Sequence, residues 1–266
     1  MSQENPRASV PTQTLFDLNI MAVDFHQAVD LLTQASDTQT GAARVVVTPN
    51  VDHIVRLAHQ PGLKELYKQA DYIFADGMPV VWASRLLGRR LPERVTGADL
   101  FVAMCHQAVK QGWRVALLGG RPGNEADLAA RFQHYFPGLD IEILCPSMRF
   151  DPLGEEGEQA AGRIRALAPN LVFVCLGLPK QERWALHHAA GLPGGVLMCV
   201  GAAMEFALGL QSRAPLRVQR LGLEWLWRLL SNPRHLWRRY LVDDPYFLVL
   251  CWREWRAARV RKQGPV

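Results

Sequence analysis

The sequence predicts an α/β fold: a Rossmann-like open, mostly parallel sheet followed by a C-terminal helical appendage. Three observations carry this. Runs rich in β-branched residues recur at strand length between residues 44 and 200, and stretches with helical spacing separate them. After Leu210 the strand-like runs stop and the composition turns basic and rich in tryptophan. The 266 residues, 49% hydrophobic and 21% charged, suffice for one large domain plus an appendage and exclude a disordered or collagen-like chain.

Residues 1–14 are polar and read as a flexible N-terminal tail with no secretory signal. The strand-like runs are RVVVT (44–48), YIFA (72–75), RVALL (114–118), IEIL (141–144), LVFVCL (171–176) and VLMCV (196–200). Several are apolar on both faces, as central strands of a parallel sheet covered by helices should be. Between them, NEADLAARFQHYF and GEQAAGRIRALA place apolar residues at i, i+3 and i+4. The α/β core is therefore expected over 15–212 and the appendage over 213–266. Within the appendage, LRVQRLGLEWLWRLL (216–230) reads as one amphipathic helix ended by Asn232-Pro233. RHLWRRYL reads as a second, ending near Asp243-Asp244-Pro245, and FLVLCWREWRAARVRK as a third, with Leu248, Trp252 and Trp255 on one side.

The net charge of +5 hides an asymmetry. Residues 213–266 hold twelve Lys and Arg, four Asp and Glu, and five of the eight tryptophans; the rest is slightly acidic. A near-neutral body with such a tail points to an anionic partner for the tail alone. Indole rings favour phospholipid head groups or a phosphorylated lipid over nucleic acid. The other reading is a solvated helical face with its tryptophans in the core. The apolar windows are strand-sized, so no membrane span is expected. Five cysteines, odd in number and without a CxxC, read as reduced thiols of a cytoplasmic chain.

Ligands of open α/β sheets bind beyond the carboxyl ends of the strands. Those ends carry Thr48 and Asn50; Asp76-Gly77; Gly119-Gly120 with Arg121-Pro122-Gly123; Gly177 through Gln181-Glu182; and Gly201. The Gly119-Gly120 turn could bring backbone amides to a phosphate. It is not GxGxxG, yet Glu142 in the next strand keeps an NAD-type oxidoreductase open as an alternative. Asp76 at the end of an apolar strand is placed either as a general base or as an Asx-turn or N-cap residue of the next helix. Arg94 in its loop suits an anion clamp, and Asp99 suits a helix cap. Glu182 near a helix start is comfortable there without any function. Asp-x-Asp, HExxH, GxxxxGK[ST] and GxSxG are all absent, and His187-His188 reads as a surface pair on a helix, so no metal site is expected.

TPNVDHIV, DYIFADGMPVVWASRLLG, RVTGADLF, VALLGGRPG, FVCLGLPKQE, VGAAMEFALG and RAPLRVQRLGLEWLWRLLSNPRHLWRRYL occur in one order. That series, from about Leu15 to Leu248, resembles the bacterial WecG/TagA/CpsF glycosyltransferases. The resemblance implies an inverting, metal-independent hexosyltransferase of cell-surface polysaccharide biosynthesis that needs no cofactor. It would move N-acetylmannosamine, its uronic acid, or glucose from a UDP-sugar to a saccharide on a polyprenyl diphosphate, working on the inner face of the cytoplasmic membrane. Carried over residue by residue, it makes Asp76 the base and places Thr48 and Asn50 around the sugar and nucleobase. Arg94 becomes a pocket arginine, Gln181 lies near the nucleotide, and Arg234, Arg238 and Arg239 meet the diphosphate. Glu205 is a departure, since relatives often carry Asp there.

Physical chemistry makes matching demands. A metal-free inverting displacement needs one carboxylate for the acceptor proton and cationic or N–H groups for the departing diphosphate. The tail offers arginines and Gly119-Gly120 offers amides. A lipid-linked acceptor also accounts for a basic, Trp-rich appendage. That appendage could cover its own site or a neighbour's in a homo-oligomer. The non-enzymatic alternative is a nucleotide-binding protein recruited to membranes, which would tolerate loss of Asp76.

Overall fold

A computed structural model describes residues 10–262. The chain opens with a hairpin of β1 (Thr12–Leu15) and β2 (Leu18–Met21), then runs α1 (Phe25–Asp37), β3 (Arg44–Val47), α2 (Val51–His59), α3 (Pro61–Tyr67) and β4 (Tyr72–Ile73). It continues through α4 (Met78–Leu86), α5 (Gly97–Gln111), β5 (Arg114–Gly119), α6 (Glu125–Tyr135), β6 (Asp140–Leu144) and α7 (Glu155–Leu167). β7 (Leu171–Cys175), α8 (Lys180–His188), β8 (Val196–Cys199) and α9 (Ala203–Ala207) complete the core. Six strands form one parallel sheet in the order β4-β3-β8-β7-β5-β6, and all six apolar runs read from the sequence become its strands.

The side-chain period of a strand divides the interior into two cores. Val45 and Val47 face one side with Ile54, Ala161 and Trp184; Val46 faces the other with Leu32, Phe101 and Phe132. Helices cover both faces, which is why the interior strands β3, β7 and β8 are apolar nearly throughout, while edge strand β6 (DIEIL) alternates.

Four expectations change. Thr12 to Thr14 are not tail: they pair with Asn19 to Met21, and Leu15, Leu18 and Ile20 are buried. The two-residue turn is Phe16-Asp17, both with positive φ (54° and 66°), so the hairpin carries no Asn-Gly signature to reveal it. Residues 1–9 of the expected tail lie outside the described residues. The helix read over 216–230 is two, α10 (Leu216–Arg220) and α11 (Glu224–Ser231). Between them Gly222 (φ +72°) rests on α4, where a Cβ would stand 2.8 Å from Met78 Cβ and 2.9 Å from Trp82 Cζ2.

The other two concern side chains. His188 is buried with Nε2 3.3 Å from the Pro152 carbonyl, and only His187 stays exposed. Successive helical residues lie about 100° apart and rarely share a face. Asp99 does not cap α5; Thr96 does, accepting from the Asp99 N–H at 3.1 Å, an arrangement worth about 1 kcal/mol.

The appendage continues with α12 (Pro233–Arg238), a π-helical turn (Arg239–Asp243) and α13 (Tyr246–Lys262). α13 docks on the core: Phe247 and Cys251 are buried, and the Phe247 ring lies 5.2 Å from that of Phe16. Glu254 takes the Phe16 N–H at 3.1 Å and pairs with Arg89 at 2.6 Å. Trp225, Trp237 and Trp252 are 37%, 51% and 53% exposed, so the appendage does not keep these tryptophans for a core.

Candidate active site

The carboxyl ends of β3, β4, β7 and β8 and the overlying appendage enclose a cleft of about 660 Å³. Backbone bonds fix its floor. Asp76 N–H donates to the Pro49 carbonyl (3.0 Å) and Val95 N–H to the Ala75 carbonyl (2.9 Å), tying together the loops that carry Asn50, Asp76 and Arg94. Gly77 follows Asp76 with φ +102°, a backbone conformation that turns the chain at once into α4 and that a residue with a Cβ rarely adopts.

Asp76 caps nothing. Gly77 is the N-cap of α4 and accepts no side-chain bond, and the Asp76 carboxylate faces the start of α5, with Oδ2 3.5 Å from Gly97 N–H. Burial, and then the neighbouring Glu224, hold its carboxyl up at about 6; the Gly97 N–H, Arg94 and Arg228 pull the other way. Thr48 is buried beside it, and a Cβ on Gly97 would stand 2.9 Å from Thr48 Oγ1. α5 can approach this closely only because residue 97 is glycine.

Asn50 lines the cleft and also caps α2: its Oδ1 accepts from His53 N–H (3.2 Å), and its N–H donates to His53 Nδ1 (3.2 Å). Across from it, Gln181 is held on both sides. Its Oε1 accepts from Gly201 N–H at 2.9 Å and its Nε2 donates to Glu182 Oε1 at 2.8 Å. Glu182 itself does not line the cleft. It is buried, takes the Tyr67 hydroxyl at 2.8 Å, and fixes the orientation of Gln181.

The opposite wall is the appendage. Arg94 pairs with Glu224 at 3.2 Å, and Arg213 pairs with Glu224 at 3.2 Å and Asp99 at 2.5 Å. Burial works to raise the Asp99 pKa, yet the bonds from Arg213 and Thr96 outweigh it and hold it below the usual carboxylate range. Further along, Arg239 lies 3.7 Å from Asp52, 3.8 Å from Asp244 and 3.4 Å from Asn50 Oδ1. Burial raises the Asp244 carboxyl to about 6.

Of the residues singled out from the sequence, Thr48, Asn50, Asp76, Arg94, Gly177, Gln181 and Arg239 line this one cleft. Gly119 and Gly120 do not. A Cβ on Gly119 would stand 2.6 Å from the Cys175 carbonyl oxygen, and one on Gly120 2.8 Å from Leu128 Cδ1 and 2.9 Å from Cys145 Sγ. These glycines serve packing between β5, β7 and α6. Glu142 sits within edge strand β6 and binds Arg163 at 2.9 Å, away from the cleft. Arg234 and Arg238 are exposed and line none of it. Glu205 also lies outside it, bonded to Gln211.

Arg213, Glu224 and Arg228 line the cleft and were not singled out. Glu224 and Arg228 stand four residues apart on one helical face, a spacing the sequence does display. Among the described residues, Glu158, His187 and His188 form a group whose ligand atoms lie within 4.8 Å of one another; none of the three lines the cleft.

A family model described as Glycosyl transferase WecG/TagA/CpsF family matches residues 13–261. A protein of Bacillus spizizenii strain W23, an N-acetylglucosaminyldiphosphoundecaprenol N-acetyl-beta-D-mannosaminyltransferase, is 31% identical over 236 residues, which cover 89% of either chain.

Proposed function

The chain belongs to the WecG/TagA/CpsF family of glycosyltransferases, and from that premise we propose that it transfers N-acetylmannosamine from a UDP-sugar to N-acetylglucosamine on a polyprenyl diphosphate. The oxidoreductase and the non-enzymatic alternatives fall with that membership. The observation that carries the proposed chemistry is the meeting of Asp76 with several guanidinium groups in one cleft at the strand ends.

In this reading an acceptor hydroxyl attacks the anomeric carbon from the face opposite UDP. The new C–O bond forms as the bond to the diphosphate oxygen breaks, the hydroxyl proton passes to Asp76, and UDP leaves with the electron pair. Arg94, Arg213 and Arg228 take up the developing charge. Arginines already stand among the carboxylates of the cleft, Arg239 between Asp52 and Asp244 (3.7 and 3.8 Å) and Arg94 and Arg213 on either side of Glu224 (3.2 Å each), which supports a metal-free mechanism.

The test is UDP release from a panel of UDP-sugars with a short-chain prenyl-diphosphate-linked N-acetylglucosamine acceptor in EDTA. Acceptor-dependent release with UDP-N-acetylmannosamine is expected. Release with another donor alone, or only after a divalent cation is restored, would overturn the assigned sugar or the metal-free mechanism respectively.

A lipid-linked acceptor requires the cleft to work at a membrane. Among the described residues no helix is long and apolar enough to cross one. The appendage instead exposes Trp237, Leu241 and Trp252 (51%, 60% and 53%), with Arg234 and Arg238 also exposed. These features support peripheral binding to an anionic membrane surface. Trp237→Glu is expected to lower co-sedimentation with phosphatidylglycerol vesicles at least threefold; unchanged sedimentation would remove the membrane from the reading.

A further inference from the structure

The cleft already contains an anion, and the chain supplies it. Glu224, the first residue of α11, places its carboxylate between two guanidiniums, with Oε2 3.2 Å from Arg94 Nη1 and Oε1 3.2 Å from Arg213 Nε. The three side chains are about a fifth exposed, so water screens the pairs only in part. They come from separate places: Arg94 from the loop before α5, Arg213 from the segment entering the appendage, and Glu224 from the appendage itself.

Arg213 has a second carboxylate, Asp99 at 2.5 Å, whereas the other bond of Arg94 is to the neutral Gln219 Oε1 at 3.4 Å. Two guanidiniums spaced to grip the two oxygens of one carboxylate are also spaced to grip two oxygens of a phosphoryl group. Both anions cannot hold the pair at once, because the incoming charge would lie against the resident one.

We propose that Glu224 is a resident substitute for substrate phosphate: it holds Arg94 and Arg213 in the empty cleft and gives them up to the diphosphate of the arriving donor, drawing the start of α11 with it. This rests on the UDP-sugar reading above. The exchange keeps the two arginines ordered and neutralised before substrate arrives, so little reorganisation is left for the reaction itself. The cost is affinity, since every diphosphate must displace a carboxylate. Departure of Glu224 also takes a negative charge away from Asp76, which then faces Arg94, Arg228 and the Gly97 N–H alone among the groups that shift it.

Calorimetric titration of the full chain with UDP, and separately with inorganic pyrophosphate, tests the exchange in wild type, Glu224→Gln and Arg213→Gln. Glu224→Gln keeps the shape and removes the charge, so Kd for both ligands is expected to fall at least fivefold. Arg213→Gln is expected to raise both at least fivefold. If Glu224 merely pins the arginines, Glu224→Gln must weaken binding, and equal or weaker binding of both ligands overturns the proposal.

Tighter pyrophosphate with no heat from UDP would keep the exchange while removing the nucleotide from the proposed function. Should Glu224→Gln lack the wild-type circular dichroism spectrum, Glu224→Asp, too short to span both arginines, is expected to tighten binding by a smaller factor. Weaker binding by that variant would equally overturn the proposal.

Discussion

Asp76→Asn is expected to lower kcat by roughly a thousandfold, without weakening UDP binding and with a small gain in stability. The rate loss is what removal of a positioned general base costs, about two to four orders of magnitude. The wild type should show the same group in its pH profile. With the carboxyl raised to about 6, kcat/KM rises with pH to a plateau above that value and falls about tenfold per unit below it.

The stability sign follows from the same shift. A carboxyl whose folded pKa lies above its unfolded one favours the fold while protonated, and that contribution is lost as pH rises through about 6. At pH 7.5 the wild type therefore carries an ionised, poorly solvated carboxylate that Asn relieves, by an amount on the order of 1 kcal/mol. Activity down with urea midpoint up marks a base. Retained turnover would remove Asp76 from that role, and a fall in midpoint alongside activity would mark it as structural.

The interior strands β3, β5, β7 and β8 were legible because strands buried on both faces are written as apolar runs, whereas edge strand β6 shows itself by the alternation of Ile141, Glu142 and Ile143. The N-terminal hairpin was not legible, because its turn uses Phe16-Asp17 at positive φ instead of glycine or asparagine. The break at Gly222 was hidden by apolar residues that keep helical spacing across it; only the approach to Met78 and Trp82 forces the turn there.

The cleft divides in the same way. Thr48, Asn50, Asp76, Gly177 and Gln181 follow strand ends, where topology alone directs attention. Arg213, Glu224 and Arg228 reach the cleft only because the appendage folds back across it, a tertiary event with no local signature. Asp52 and Asp244 are likewise defined by the arginine they share, Arg239, which comes from the π-helical turn.

Gly119 and Gly177 show how one residue type can serve two purposes, and substituting each separates them. Gly119 ends β5 opposite Cys175 of β7, and any Cβ there meets the Cys175 carbonyl at 2.6 Å and its Cβ at 2.7 Å. Both partners belong to interior strands of the sheet, so neither can yield cheaply. Gly119→Val is expected to destabilise the chain by about 3 kcal/mol, the upper end for overpacking a dense core. In a domain whose whole stability is about 5–15 kcal/mol, that is a large downward shift of the urea midpoint. UDP affinity of the fraction that remains folded in the cold is expected to match wild type, since Gly119 lines no part of the cleft. Gly177 is the converse: it lines the cleft, its backbone has no positive φ, and a Cβ there meets nothing within 4 Å. Gly177→Val should therefore fold with a near-wild-type midpoint while its side chain narrows the cleft and weakens UDP several-fold. If Gly119→Val folded normally but lost UDP, the phosphate-cradling amides read from the GGRPG turn would be real and the cleft would extend to β5.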